Sequence, residues 1–399
     1  MSIFRELGVE PIINASGTVT RLGGALMPSA VLEAFVAAAA ETIPLEALQA
    51  AASVRIAGVT GAEAGLVTSG AAASLTLGAA AILAGWDVGR MERLPCCDGF
   101  PHEFVVAREH RNGYDHAVRA AGARLVEVGF DEITAHAGVR RAEAWEYEAA
   151  FGPGTAGVLY VYSPTSQPSL EQLVECAHRR GLPVLVDAAG ELPPRANLTR
   201  LIAAGADLVA FSGGKAIRGP QSTGILCGRR DLIASAALQM LDMDDHPQLW
   251  TPPAELIDRS KLAGMPRHGI GRSLKVSKEE IAALLKALEL FAAGAFDADV
   301  ETSRRRLQGI AAALKSTQAQ FRLIDPDDGE SPAVLEIAVN EPQLERTAFE
   351  VCRRLRDGSP PVYVGHGKLS EGVLVIRPAC LRDDQIEPLV RRLREELGR

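Results

Sequence analysis

Short, unbroken runs of apolar residues alternate along this chain with longer stretches whose apolar positions recur every three or four residues. The short runs predict strands covered on both faces, and the longer period predicts helices with one face on a core. Val184-Leu185-Val186 and Leu208-Val209-Ala210-Phe211 are runs of the first kind, each ending in polar or small residues. Helices are predicted over 29–42, 45–60, 71–84, 114–121, 170–180 and 198–203. Strands are predicted over 65–70, 103–107, 124–128, 157–162, 182–186 and 208–211, with 223–226 as an antiparallel return. Strand and helix in alternation imply an α/β domain with a mostly parallel sheet flanked by helices.

The pattern changes near Met265. A long helix is predicted over 278–293 as a connector. Beyond it, strands at 321–324, 333–339 and 372–377 and helices at 349–356 and 385–397 describe a small α+β domain. The reading divides the chain into an N-terminal segment near the active site (1–45), a large domain (46–270) and a small C-terminal domain (271–399), with the main boundary between 265 and 280. A length of 399 residues suits two cores better than one.

Charge and cysteine usage narrow the class. The net charge of −8 lacks the basic surplus of a nucleic-acid binder. No apolar run is long enough to span a bilayer; the one at 71–85 is too short and holds Ser74 and Thr76. No signal peptide is visible, and six scattered cysteines without a Cys-x-x-Cys pair read as reduced thiols of a cytoplasmic protein. Cys96-Cys97 with His102 and Glu103 has no standard metal-ligand spacing, so no metal is expected.

Three predicted strand ends carry candidate chemistry, where open α/β sheets bind ligands. At Ser69-Gly70-Ala71 a strand turns through small residues into a helix, leaving backbone N–H groups free for an anion. An ordinary tight turn gives the same pattern. Asp187 closes an apolar strand, either as a turn residue or as a carboxylate facing a cationic ring nitrogen. Ser212-Gly213-Gly214-Lys215 follows another strand, with room for the lysine to swing and a hydroxyl suited to phosphate. Phosphate turn, acid and lysine in this order read as one cofactor site, and no Gly-x-Gly-x-x-Gly turn near Ser69 supports a dinucleotide instead.

With these motifs the chain resembles fold-type I enzymes dependent on pyridoxal 5'-phosphate (PLP). More narrowly it resembles the selenocysteine synthase-like group, which includes L-seryl-tRNA(Sec) selenium transferase and D-glucosaminate-6-phosphate ammonia-lyase. The resemblance rests on Ile13 to Thr18, Val67 to Ala71, Asp187-Ala188-Ala189, Ser212 to Lys215 and Gly271 to Glu280. It implies that Lys215 holds PLP as a Schiff base and shuttles the α-proton, and that Asp187 pairs with the pyridine nitrogen. Ser69, Gly70, Ala71 and Ser212 would hold the phosphate. His110 would stack on the ring, with Arg108 and His116 as alternatives. Arg377, at the end of a small-domain strand, would bind the substrate carboxylate; Asn14, Ser16 and Arg272 are further substrate-binding candidates, and Lys275 another phosphate contact. The resemblance also implies a homodimer or higher homo-oligomer. The early Asn14 motif leaves no room for the tRNA-gripping domain of selenium transferases, so a small amino acid is expected as substrate and no nucleic acid or membrane as partner.

The expected reaction is that of a lyase. It abstracts the α-proton of a small or sugar-derived hydroxy amino acid, eliminates the β-substituent and releases ammonia and a 2-oxo acid. Racemisation, with His110 or Tyr114 as second base, aldol cleavage and selenium or sulfur transfer are the alternatives, with a PLP-fold binding protein as the non-enzymatic one.

Overall fold

The structure, a computed structural model, describes residues 2–130 and 140–398. In chain order its strands are β1 (Ile13–Ala15), β2 (Ala64–Thr68), β3 (Glu103–Ala107), β4 (Arg124–Val128), β5 (Thr155–Val161), β6 (Val184–Asp187), β7 (Leu208–Ser212), β8 (Gly224–Gly228), β9 (Ala319–Ile324), β10 (Val334–Val339), β11 (Val362–Val364) and β12 (Val373–Ile376). Backbone contacts divide the chain into two compact units, Met27–Ala292 and Met1–Leu26 with Ala293–Arg399.

The larger unit holds a seven-stranded sheet in the order β2-β8-β7-β6-β5-β3-β4. Pairs β3–β4, β3–β5, β5–β6 and β6–β7 are parallel, and β8 runs antiparallel to both β2 and β7. The α/β reading and the antiparallel return are therefore present. Strands β6 and β8 are buried along their whole length, as both-face coverage requires. The helix Ala71–Ala84 is buried on nearly every side, between the sheet and the helix Arg230–Met240. It lies close to the sheet because Gly78 has no side chain; a Cβ there would sit 2.9 Å from Leu185 Cδ1. The helix Leu170–His178 is amphipathic, buries Leu170, Leu173 and Val174, and starts in a reciprocal cap between Ser169 and Gln172.

The smaller unit combines both chain ends. β1 pairs in parallel with β11, and β12-β10-β9 form an antiparallel sheet. Its core includes Leu307, Ile310, Leu335, Ile337, Val351, Leu374, Leu389 and Leu393, joined by Ile13 and Ala15. The divisions at 27 and 293 differ from the expected 45 and 270. The helix Lys278–Ala292 is no connector: it packs on Ser29–Ala39 and Leu45–Thr60 and so lies wholly in the larger unit. The β1–β11 pairing draws 1–26 into the C-terminal unit. Among the described residues no helix is long and apolar enough to cross a membrane.

Candidate active site

Strand ends of the large sheet carry the chemistry-bearing groups. After β2 the chain turns at Gly70, which takes φ +95°, and the helix Ala71–Ala84 begins. Its first intrahelical bond runs from Ser74 N–H to Gly70 C=O, so the N–H groups of Ala71 to Ala73 precede the helix's own ladder. Thr68 Oγ1 donates to Gly70 C=O at 3.0 Å and lies 2.7 Å from Ser74 Oγ, which fixes the turn from within. Beneath it passes Gly224, where a Cβ would meet Gly70 C at 2.4 Å and Ala71 N at 2.6 Å. Gly224 is also the register partner of both Thr68 and Ser212. The Ser69 hydroxyl donates to Leu274 C=O at 2.9 Å. That hydrogen bond ties the turn to the segment Ile270–Leu274.

Asp187 ends β6 and is 8% exposed. Its Oδ1 accepts the Ala189 N–H at 3.0 Å. Burial raises its carboxyl above the usual range, against the pull of the Ala189 N–H and of the Lys215 charge. On the neighbouring β7, Ser212 is half-buried, and Gly213 and Gly214 fill positions where a Cβ would collide with Thr223 Oγ1 and Gln221 Cα. The loop is held by Gly213 N–H to Thr223 C=O and Gly219 N–H to Gly213 C=O, both 2.8 Å. Lys215 is half-buried on this loop, its Nζ 3.9 Å from the point where Gly190 would carry a Cβ.

His110 follows β3 and is 5% exposed. Its ring meets Tyr160 edge-on, 4.9 Å between centroids, and neither ring nitrogen has a hydrogen-bond partner. Burial lowers its pKa to about 4, so the ring is neutral at physiological pH. Arg108 pairs with Glu127, His116 contacts Arg119, and Tyr114 is exposed.

The remaining candidates separate into groups. Arg272 binds Asp242 at 2.5 Å and, with exposed Lys275, lines a cavity of about 460 Å³ that also includes Gln49, Ser277 and Glu280. Asn14, Ser16 and Arg377 meet in the smaller unit. Arg377 N–H donates to Ala15 C=O at 2.8 Å, Asn14 Nδ2 to Gly17 C=O at 3.0 Å, and Ser16 N–H to Asn14 Oδ1 at 3.0 Å. Cys97 Sγ donates to Pro95 C=O, His102 contacts Phe100 C=O, and Glu103 pairs with Arg124. The described residues instead bring Asp242, Asp244 and His268 together as metal-ligating types, on the surface, where Arg272 already engages Asp242.

Sequence reasoning missed two groups. Gln49 clamps β2 from the helix Leu45–Thr60, donating to Val67 C=O and accepting from Val67 N–H. Glu191 stands just past Asp187 in the loop that follows β6, half-buried and under the influence of both Asp187 and Lys215. The signal available for it was a second acid close behind a strand-end acid.

The chain is similar to several known proteins. The profile of the L-seryl-tRNA selenium transferase family matches residues 114–243. A 5'-C-glycyluridine monooxygenase-decarboxylase from Streptomyces sp is 32% identical over 405 residues, covering 99% of this chain and 92% of the relative. The chain belongs to the selenocysteine synthase-like group of fold-type I PLP enzymes. A D-glucosaminate-6-phosphate ammonia lyase from Salmonella typhimurium is 29% identical over 403 residues, 99% of this chain and 97% of that one. A solved structure of D-glucosaminate-6-phosphate ammonia-lyase superposes with a TM-score of 0.82 at 28% identity, covering 100% of this chain and 98% of the other. The segment matched by the family profile contains Asp187, Glu191 and Lys215, while Ser69 and Arg272 lie outside it.

Proposed function

We propose that the protein is a PLP-dependent lyase that takes the α-proton from a sugar-derived hydroxy amino acid, expels the β-hydroxyl and releases ammonia and a 2-oxo acid. One observation carries the reading: Lys215, Asp187 and the open helix start at Gly70 occupy carboxyl ends of strands in a single sheet.

The donor set fits the cofactor. A phosphate matches the N–H groups at Ala71 to Ala73, with the Ser212 hydroxyl as a further donor. The proposed partner of a protonated ring nitrogen is Asp187, whose Oδ1 is held by Ala189. The neutral, unpartnered imidazole of His110 suits a ring face better than a charged group would. PLP, when bound, supplies the electron sink that acidifies the substrate's α-C–H bond. The Lys215 amine is the proposed base. Water lost in elimination is regained when the resulting enamine hydrolyses, so the reaction consumes no oxidant.

The test supplies purified protein with PLP and hydroxy amino acids, D-glucosaminate 6-phosphate among them, and measures ammonia and 2-oxo acid. Absence of both products across the series removes the lyase reading. The relative named a monooxygenase-decarboxylase motivates a second reading, oxygen-dependent decarboxylation of an amino acid borne on a nucleoside. Oxygen uptake with carbon dioxide release, in place of ammonia release alone, would favour it.

We also propose a homo-oligomer in a cytoplasmic setting. The helix Ser29–Ala39 carries Glu33 as its only charged residue, buries Val31 alone, and leaves Leu32 and Val36 exposed, a face suited to a second copy. The six cysteines are scattered without a Cys-x-x-Cys pair, a usage that suits a reducing compartment. Light scattering that gives a monomer mass would overturn the oligomer.

A further inference from the structure

We infer that Glu191 is the acid that delivers a proton to the departing β-hydroxyl, a role that rests on the lyase reading above. Elimination of hydroxide demands such a group. Hydroxide is a poor leaving group, and a positioned acid that turns it into water contributes typically about 10²- to 10⁴-fold. Lys215 is occupied with the α-proton, and Asp187 with the ring nitrogen.

Glu191 meets the requirement by its placement. Its backbone is fixed on both sides: its N–H donates to Ala188 C=O at 3.1 Å, closing a turn directly after Asp187, and its C=O accepts from Asn197 Nδ2 at 2.7 Å. The preceding residue, Gly190, passes against the Lys215 amine. The carboxyl group is half-buried, feels the charges of both Asp187 and Lys215, and meets no hydrogen-bond donor among the described residues. Burial, then the Asp187 charge, raises its pKa, while Lys215 acts in the opposite sense. A carboxyl that burial holds in its acid form suits the proton donor of an elimination.

The step balances. The Cα–H bond breaks and its proton goes to Lys215 Nζ; the electron pair becomes part of a Cα–Cβ double bond. The Cβ–O bond breaks with its pair on oxygen, and the Glu191 proton completes a water molecule. Transfer of the extra proton from Lys215 to the Glu191 carboxylate resets both groups.

The experiment compares wild type, Glu191→Gln and Glu191→Asp, loaded with PLP in D₂O. Substrates are D-glucosaminate 6-phosphate and both enantiomers of serine and β-chloroalanine. Exchange of the α-hydrogen and release of 2-oxo acid are followed separately. For Glu191→Gln, exchange is expected to stay within about threefold of wild type, while release from hydroxy substrates falls at least about a hundredfold. Release from β-chloroalanine, whose chloride needs no proton, should be retained, and Glu191→Asp should lie between. Equal loss of exchange and release, or equal loss with chloride and hydroxyl, overturns the role. A wild type that takes up PLP but exchanges no α-hydrogen overturns the lyase reading and this role with it. A readout free of cofactor accompanies these: in apoprotein carrying ¹³C-labelled glutamate, the carboxyl signal missing from Glu191→Gln should titrate above about 4.3, the ordinary glutamate value. Titration at or below that value also overturns the assignment.

Discussion

The Lys215 amine rests 3.9 Å from the empty Cβ position of Gly190, ordinary van der Waals distance. An alanine fits there, whereas the branched carbons of a valine reach into the space of the amine. Gly190→Ala should therefore keep the yellow absorbance of lysine-bound PLP, and Gly190→Val should lose most of it. Equal absorbance in the two variants would mean that the lysine has other room to move.

Lys215→Ala tests the centre of the proposal. The side chain is half-buried on a loop, so the fold should survive, with a melting temperature near wild type. Turnover should fall by about 10³-fold or more, and borohydride should no longer fix PLP to the protein. Tryptic mapping of the reduced wild type provides the comparison.

Asp187→Asn separates stability from chemistry. Burial raises the native carboxyl above its unfolded value, so the native state binds the extra proton between the two pKa values. Stability contributed by this group is thus lost as pH rises through that window, and the charged form carries a penalty at neutral pH. Apo Asp187→Asn should melt at or above the wild-type temperature at pH 7, since asparagine still accepts the Ala189 N–H. Activity should nevertheless fall about 10²- to 10³-fold, as when a single preorganised electrostatic partner is removed. A variant less stable than wild type at pH 7 but equally active would contradict both halves.

His110 predicts the opposite pH dependence. Its pKa is lowered from the ordinary value of 6.5 to about 4, so below 6.5 the unfolded chain takes up a proton that the native ring refuses. The associated stability is present above pH 6.5 and drains away as pH falls towards 4, by up to roughly 3 kcal/mol. Apo wild type and His110→Phe, melted at pH 7 and pH 4.5, should differ in the size of the acid-induced drop, with the phenylalanine variant losing less. Parallel drops would indicate that the ring is solvated.

The strand ends were legible because apolar runs stop at Asp187 and at Ser212, where β6 and β7 end. The boundaries of β3 and β4 could also be read directly. Less visible was the helix Ala298–Ala313, which carries Arg304-Arg305-Arg306 and buries only Ser303, Leu307 and Ile310, too sparse a stripe to stand out. β11 has three residues, and its reason to exist is pairing with β1 from the other end of the chain, which local patterning does not encode. Glu191 resembled any acid in a proline-containing loop. Its meaning comes from the turn back to Ala188 and from Lys215, which is distant in sequence.

The reversed strand β8 sits between the segment that ends at the Gly70 turn and the one that ends near the lysine, and Gly224 is the rung shared with both neighbours. A one-residue slip there would shift two sides of the catalytic pocket together. Loss of pairing along this one buried strand would therefore disturb both sides together, so retention of the cofactor depends on the middle of the sheet staying intact.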